Sequence, residues 1–122
     1  MTNHKDIQQW INDLFNSIDN KNNEKFSSYL SDDVRFRFGN MPVSTGKSTV
    51  EQQVSQFFTS IKSLQHEITE FWQQNNTIIC HGRVCYTRHD NSTLSVPFSN
   101  IFKLNNQRIS DYLIFVDVSE LY

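Results

Sequence analysis

Between residues 5 and 19 the apolar side chains Ile7, Trp10, Ile11, Leu14, Phe15 and Ile18 recur three or four positions apart. That spacing puts them on one stripe of a helix, with polar residues around the rest. The cluster Asp19-Asn20-Lys21-Asn22-Asn23 interrupts it, since Asn and Asp favour turns and helix N-caps. A short second helix is predicted over 24–30, burying Phe26, Tyr29 and Leu30. Val34, Phe36 and Phe38 then alternate with Arg35 and Arg37, the pattern of a half-buried strand. Gly39 to Gly46 is predicted to be a loop. Ser48 and Glu51 form a potential capping box for a third helix at 47–61, where Val50, Val54, Phe57, Phe58 and Ile61 return to helical spacing.

The second half changes period. Strands are predicted over 64–73, 77–88, 93–104 and 108–118, separated by Gln74-Asn75-Asn76, Asp90-Asn91-Ser92 and Asn105-Asn106-Gln107. Polar turns this short join neighbours as hairpins, so these four strands should form a curled antiparallel meander. Helix, helix, strand, helix and four strands make an α+β domain with its helices on one sheet face. No linker, repeat or low-complexity block divides the 122 residues, and one domain over 1–122 is expected.

Composition narrows the function. Ten Phe, four Tyr and two Trp supply rings that bury much area per residue, so a core is within reach despite the Asn, Gln and Ser content. A net charge of −2 with interspersed signs lacks the footprint of a nucleic-acid binder. No apolar run is long enough for a bilayer, and the N-terminal Met1–Asp6 does not lead into a signal-peptide apolar region. The two cysteines, Cys80 and Cys85, sit at odd spacing on one predicted strand, face opposite ways and should not pair. Free thiols without an export signal favour the cytoplasm. Four scattered His and two lone Cys make no metal signature, and three Gly make no phosphate loop.

The order of elements resembles the nuclear transport factor 2-like superfamily, in its SnoaL-like (polyketide cyclase-like) branch. Tyr29-Leu30-Ser31-Asp32-Asp33-Val34 resembles its junction of second helix and first strand. Gly46-Lys47 before an amphipathic helix resembles its approach to helix three. Val96-Pro97-Phe98-Ser99-Asn100-Ile101-Phe102, Gln107-Arg108-Ile109, Tyr112 and Asp117 resemble its last two strands. The resemblance implies a cone-shaped roll, with the N-terminal helices in the concave face of a strongly curved, mostly antiparallel sheet. It also implies a pocket at the wide end, a small apolar or aromatic ligand, no cofactor, and a homodimer through the outer sheet face.

The superfamily contains isomerases, hydrolases, dehydratases, cyclases and pure binders, so each chemistry is matched to residues. A ketosteroid-isomerase-like site requires a carboxylate base, a Tyr and an acid; the positions fall on Phe38, Leu14 and Asn100, and the base is missing. A limonene-epoxide-hydrolase-like site requires Arg between two Asp; Arg83 matches, but the acids fall on Cys85 and Ile114. A dehydratase- or cyclase-like site uses His and Tyr around a phenolic substrate, and here His66, Tyr86 and Asn100 fall at polar positions. His is the natural base near neutral pH.

His66 and Asn100 are therefore the expected polar or catalytic pair. Asn100 is the lone polar group on the face shared by Val96, Phe98, Phe102 and Leu104, so its amide must find partners. Trp10, Phe38, Arg83, Tyr86, Phe98 and Tyr112 are the expected ligand contacts. The inward face of strand 77–88 stays open: the epoxide-hydrolase register puts His81, Arg83 and Cys85 inside, and a slip of one residue reverses it. Asp117 is expected to have a structural role. Three functions remain: an enzyme acting on a hydrophobic cyclic substrate, a non-catalytic ligand binder, and a dimerising module with a closed core.

Overall fold

The computed structural model describes residues 3–122, so Met1 and Thr2 of the Met1–Asp6 stretch lie outside it. Helix α1 spans His4–Asp19 and buries Ile7, Ile11, Leu14, Phe15 and Ile18, the stripe its spacing predicts. Asn3 caps it, its Oδ1 accepting from Asp6 N at 2.9 Å. The polar cluster does break the chain: Lys21 takes a left-handed φ of 53°, and Asn22 caps α2 (Asn23–Ser27) by accepting from Lys25 N. Strand β1 (Leu30–Phe38) follows, then β2 (Ser44–Thr45), α3 (Lys47–Ser60), β3 (Ser63–Gln74), β4 (Thr77–Thr87), β5 (Thr93–Asn105) and β6 (Arg108–Val116).

Three local expectations change. Leu30 opens β1 rather than closing a helix, because its partner is Ile109 of β6. The Ser48/Glu51 capping box does not form: Gly46 is the N-cap, with no side-chain bond, and Glu51 accepts from Ser27 Oγ at 2.6 Å instead. The predicted loop also contains β2, which pairs with β1 at Arg35 and Phe36.

The sheet order is β2-β1-β6-β5-β4-β3. The last four strands form the predicted antiparallel meander, while β1 joins β6 in parallel. The fold is thus α+β, with helices over one face of an open, mostly antiparallel six-stranded sheet. Register shifts interrupt β3 between Ile68 and Glu70 and the β5–β6 ladder after Lys103; such bulges bend strands and curl this sheet around the helices. Gly82 allows the first bend. A Cβ there would lie 1.8 Å from the carbonyl oxygen of Glu67, so no larger residue fits.

Ile11, Leu14, Leu30, Val34, Val50, Ile78, Phe102 and Ile109 pack between helices and sheet with almost no exposure. Lys21 ties α1 to α3, its Nζ donating to the carbonyls of Phe58, Ile61 and Lys62 at 2.8, 2.8 and 2.9 Å. These carbonyls lie at the end of α3, where a cation also suits the helix dipole.

Candidate functional site

The concave side is not filled. A cavity of about 540 Å³ lies between α3, the ends of β1 and β6, and the inner faces of β3–β5. Phe36, Phe38, Phe57, Val84, Phe98 and Ile114 form much of its wall. Four polar side chains reach it from four successive strands: His66 of β3, Tyr86 of β4, Asn100 of β5 and Tyr112 of β6.

Strand alternation explains this convergence. On β4, Ile78, Cys80, Gly82, Val84 and Tyr86 are buried, and Ile79 and Arg83 are exposed. That decides the open register in favour of Tyr86. Arg83, expected as a ligand contact, instead lies on the outer face, where Nη2 donates to the Ser95 carbonyl at 3.2 Å. Trp10 does not line the cavity either; its ring stands edge-on to Tyr29 and Phe102 and is taken up in the packing between α1 and those rings. Phe38, Phe98 and Tyr112 line the cavity. Cys80 and Cys85 are unpaired, on opposite faces.

His66 is fixed from behind by Asp19, the last residue of α1. Asp19 Oδ1 accepts from His66 Nδ1 at 2.6 Å, and Oδ2 accepts from the His66 backbone N–H at 2.9 Å. With Nδ1 engaged by Asp19, Nε2 is the ring nitrogen turned away from that carboxyl. Phe15 and Phe98 flank the ring at centroid distances of 4.7 and 5.1 Å. Asp19 went unrecognised in the sequence, where it read as part of a turn. A signal existed: α1 has no basic residue in its last turn, and a carboxylate there opposes the helix dipole, so its position calls for a tertiary reason.

Asn100 is 2% exposed. Its Oδ1 is enclosed and has no hydrogen-bond partner among the described residues. Cys80, directly opposite on β4, is buried enough that its thiol is pushed from 9.0 up to about 12. Burial likewise raises the Tyr86 and Tyr112 phenols above their ordinary range. Both hydroxyls are therefore donors at neutral pH, not bases. Asp117, at the rim, accepts from Ser119 N at 2.9 Å, and that turn holds its carboxyl below the usual range.

Residues 8–112 match the SnoaL-like domain family. The chain belongs to the SnoaL-like family. No curated protein sequence matches it significantly. Among solved structures, this SnoaL-like chain is similar to an NTF2-like protein of unknown function from Burkholderia pseudomallei, with a TM-score of 0.84 at 16% identity, covering 93% of this chain and 92% of that one. It is also similar to TerC co-crystallised with polyporic acid (TM-score 0.79, 14% identity, 91% of each chain covered). A third is a ketosteroid isomerase-like fold from Catenulispora acidiphila in complex with trimethylamine (TM-score 0.81, 10% identity, 89% and 85% covered). At such identities these likenesses establish the SnoaL-like fold alone.

Proposed function

We propose that this SnoaL-like chain is a small-molecule pocket protein that binds a hydrophobic cyclic ligand and performs cofactor-independent acid–base chemistry on it, of the cyclase, dehydratase or isomerase type. The observation that carries this reading is His66, clamped by both oxygens of Asp19 and facing a cavity walled largely by aromatic and aliphatic side chains. In that role Nε2 accepts a proton from the substrate, Asp19 stabilises the resulting imidazolium, and His66 returns the proton to another substrate atom. Asn100 and the Tyr86 and Tyr112 hydroxyls hydrogen-bond the substrate oxygens on which charge develops. Phe38 and Phe98 supply apolar contact. The cavity lies within the roughly 300–1,000 Å³ typical of small-molecule sites.

The test is a thermal-shift screen against steroids, terpenoids and small polycyclic phenols, followed by turnover assays on each hit. A ligand at a hundredfold excess over its Kd adds about 2.7 kcal/mol of stability. Hits whose conversion disappears in His66→Ala are expected. Hits bound but unchanged by the protein would reduce the reading to non-catalytic binding, and no hit at all would remove the pocket reading.

A second reading, a dimerising domain, is favoured by the outer sheet face. Trp72, Ile79, Ile101 and Leu113 stand opposite one another in a single row across β3, β4, β5 and β6, and Trp72 and Phe115 are about half exposed. An apolar row of this extent suits a second copy of the chain. The two readings are compatible, and sedentimentation of Ile79→Lys beside the parent chain tests the homodimer: a parent monomer disproves it.

A further inference from the structure

Residues 117–122 follow β6 as a strap beside the cavity, and Asp117, Val118, Ser119 and Tyr122 contribute to its lining. As far as Leu121 the strap is held firmly. Asp117 Oδ1 accepts from Ser119 N at 2.9 Å, and the Val118 carbonyl accepts from Leu121 N at 3.0 Å. The Arg88 guanidinium, one residue beyond β4, donates from Nε to the Leu121 carbonyl and from Nη2 to that of Glu120, each at 2.8 Å. The Leu121 side chain is buried in the core.

Tyr122 differs. It is 78% exposed and yet lines the cavity, which puts its ring at the mouth. Its hydroxyl lies 2.6 Å from Ser60 Oγ at the end of α3, itself a lining residue. Ser60 Oγ gives its own proton to the Phe57 carbonyl at 2.6 Å, so here the phenol donates and the serine accepts. This one hydrogen bond ties the strap to the helix across the mouth. An exposed neutral hydrogen bond biases an equilibrium by only about two- to tenfold, so it holds an opening closed without sealing it.

We infer that Tyr122 and Ser60 form a latch across the cavity mouth that sets how fast a ligand enters and leaves, while Arg88 and Leu121 hold the strap on which Tyr122 swings. The inference rests on the pocket reading above and concerns rates rather than affinity. A latch that closes equally well over the empty and the filled cavity changes both rates by one factor and leaves Kd where it was.

The experiment is stopped-flow fluorescence with 2-naphthol on the parent chain, Tyr122→Phe, Ser60→Ala and the double variant. Two-dimensional amide NMR of the parent locates the probe. Tyr122→Phe keeps the ring and removes the donor, whereas Ser60→Ala removes the acceptor from the other side. Each is expected to raise association and dissociation rates together by about two- to tenfold at constant Kd, and the double variant to go no further. Unchanged rates in either single variant overturn the latch and leave the pocket reading intact. A rise in dissociation alone also overturns it, because Tyr122 would then be a contact on the ligand. A probe that leaves the His66 and Asn100 signals of the parent unmoved counts against both the latch and the pocket reading.

Discussion

Replacing Asn100 with leucine is expected to make this protein more stable. The two side chains branch at the same carbon, so the substitution exchanges an amide for an isobutyl group of similar shape. Asn100 Oδ1 is enclosed without a partner among the described residues, and an unsatisfied buried polar atom costs about 1–3 kcal/mol. Its surroundings suit leucine: Phe98 and Phe102 share its face of β5, Cys80 and Ile114 stand opposite on the neighbouring strands, and the adjoining cavity accepts the extra volume. With an unfolding entropy of about 2.1 cal/mol/K per residue, the 122-residue chain has about 0.26 kcal/mol/K, so the gain corresponds to about 4–12 °C in Tm. Thermal and urea unfolding followed by circular dichroism measure it, and an unchanged urea slope shows that stability alone has moved. A Tm that is unchanged or lower would refute the reasoning, because it would mean that the amide is satisfied in solution and has no need of a ligand. A rise in Tm together with lost ligand binding is the signature of a polar group kept for function at a cost in stability.

Four further outcomes follow from particular residues. Asp19→Ala leaves the His66 backbone N–H and ring Nδ1 without their acceptor; a loss of about 1–3 kcal/mol in urea unfolding is expected, and a change below about 0.5 kcal/mol speaks against the clamp. Gly82→Ala drives a Cβ into the Glu67 carbonyl, so the β3 bend cannot survive; a loss on the order of 3 kcal/mol or more, or insoluble protein, is expected, and normal Tm refutes that close approach. Cys80, raised from 9.0 to about 12 by burial, deprotonates in the unfolded chain before it does in the folded one, so the stability it contributes is complete below pH 9 and is lost as pH rises from about 9 to 12. Cys80→Ala is expected to flatten that alkaline limb of the stability curve, and an identical limb in the variant would show the thiol to be exposed. In the native protein at pH 8, the half-buried Cys85 should react with a thiol reagent well before Cys80.

Much of the fold lay in local pattern. The stripe of Ile7, Ile11, Leu14, Phe15 and Ile18, the Asn22 cap and the alternation on β5 depend on residues a few positions apart, and periodicity of that range specifies helix, turn and strand directly. The same alternation on β5 set Asn100 among apolar neighbours, and its isolation was visible for that reason. Where pattern failed, a partner distant in sequence intervened. Leu30 belongs to a strand because Ile109 pairs with it, and Glu51 turns away from its own helix because Ser27 offers a hydroxyl. The inward face of β4 was undecidable because both of its faces carry apolar residues; pairing of Tyr86 with Leu64 and Leu94 settled it and sent Arg83 outward. Asp19 shows the limit most plainly. It is 47 residues from His66, and no spacing rule reaches across that gap. The sequence by itself determined most of the elements, the α+β class and several residues that line the cavity, His66, Asn100, Phe38, Phe98 and Tyr112 among them; the tertiary structure decided which face encloses the cavity and which carboxylate orients the histidine. The physical reason is that period and propensity act within one element, whereas a site is made where the curled sheet brings several elements together.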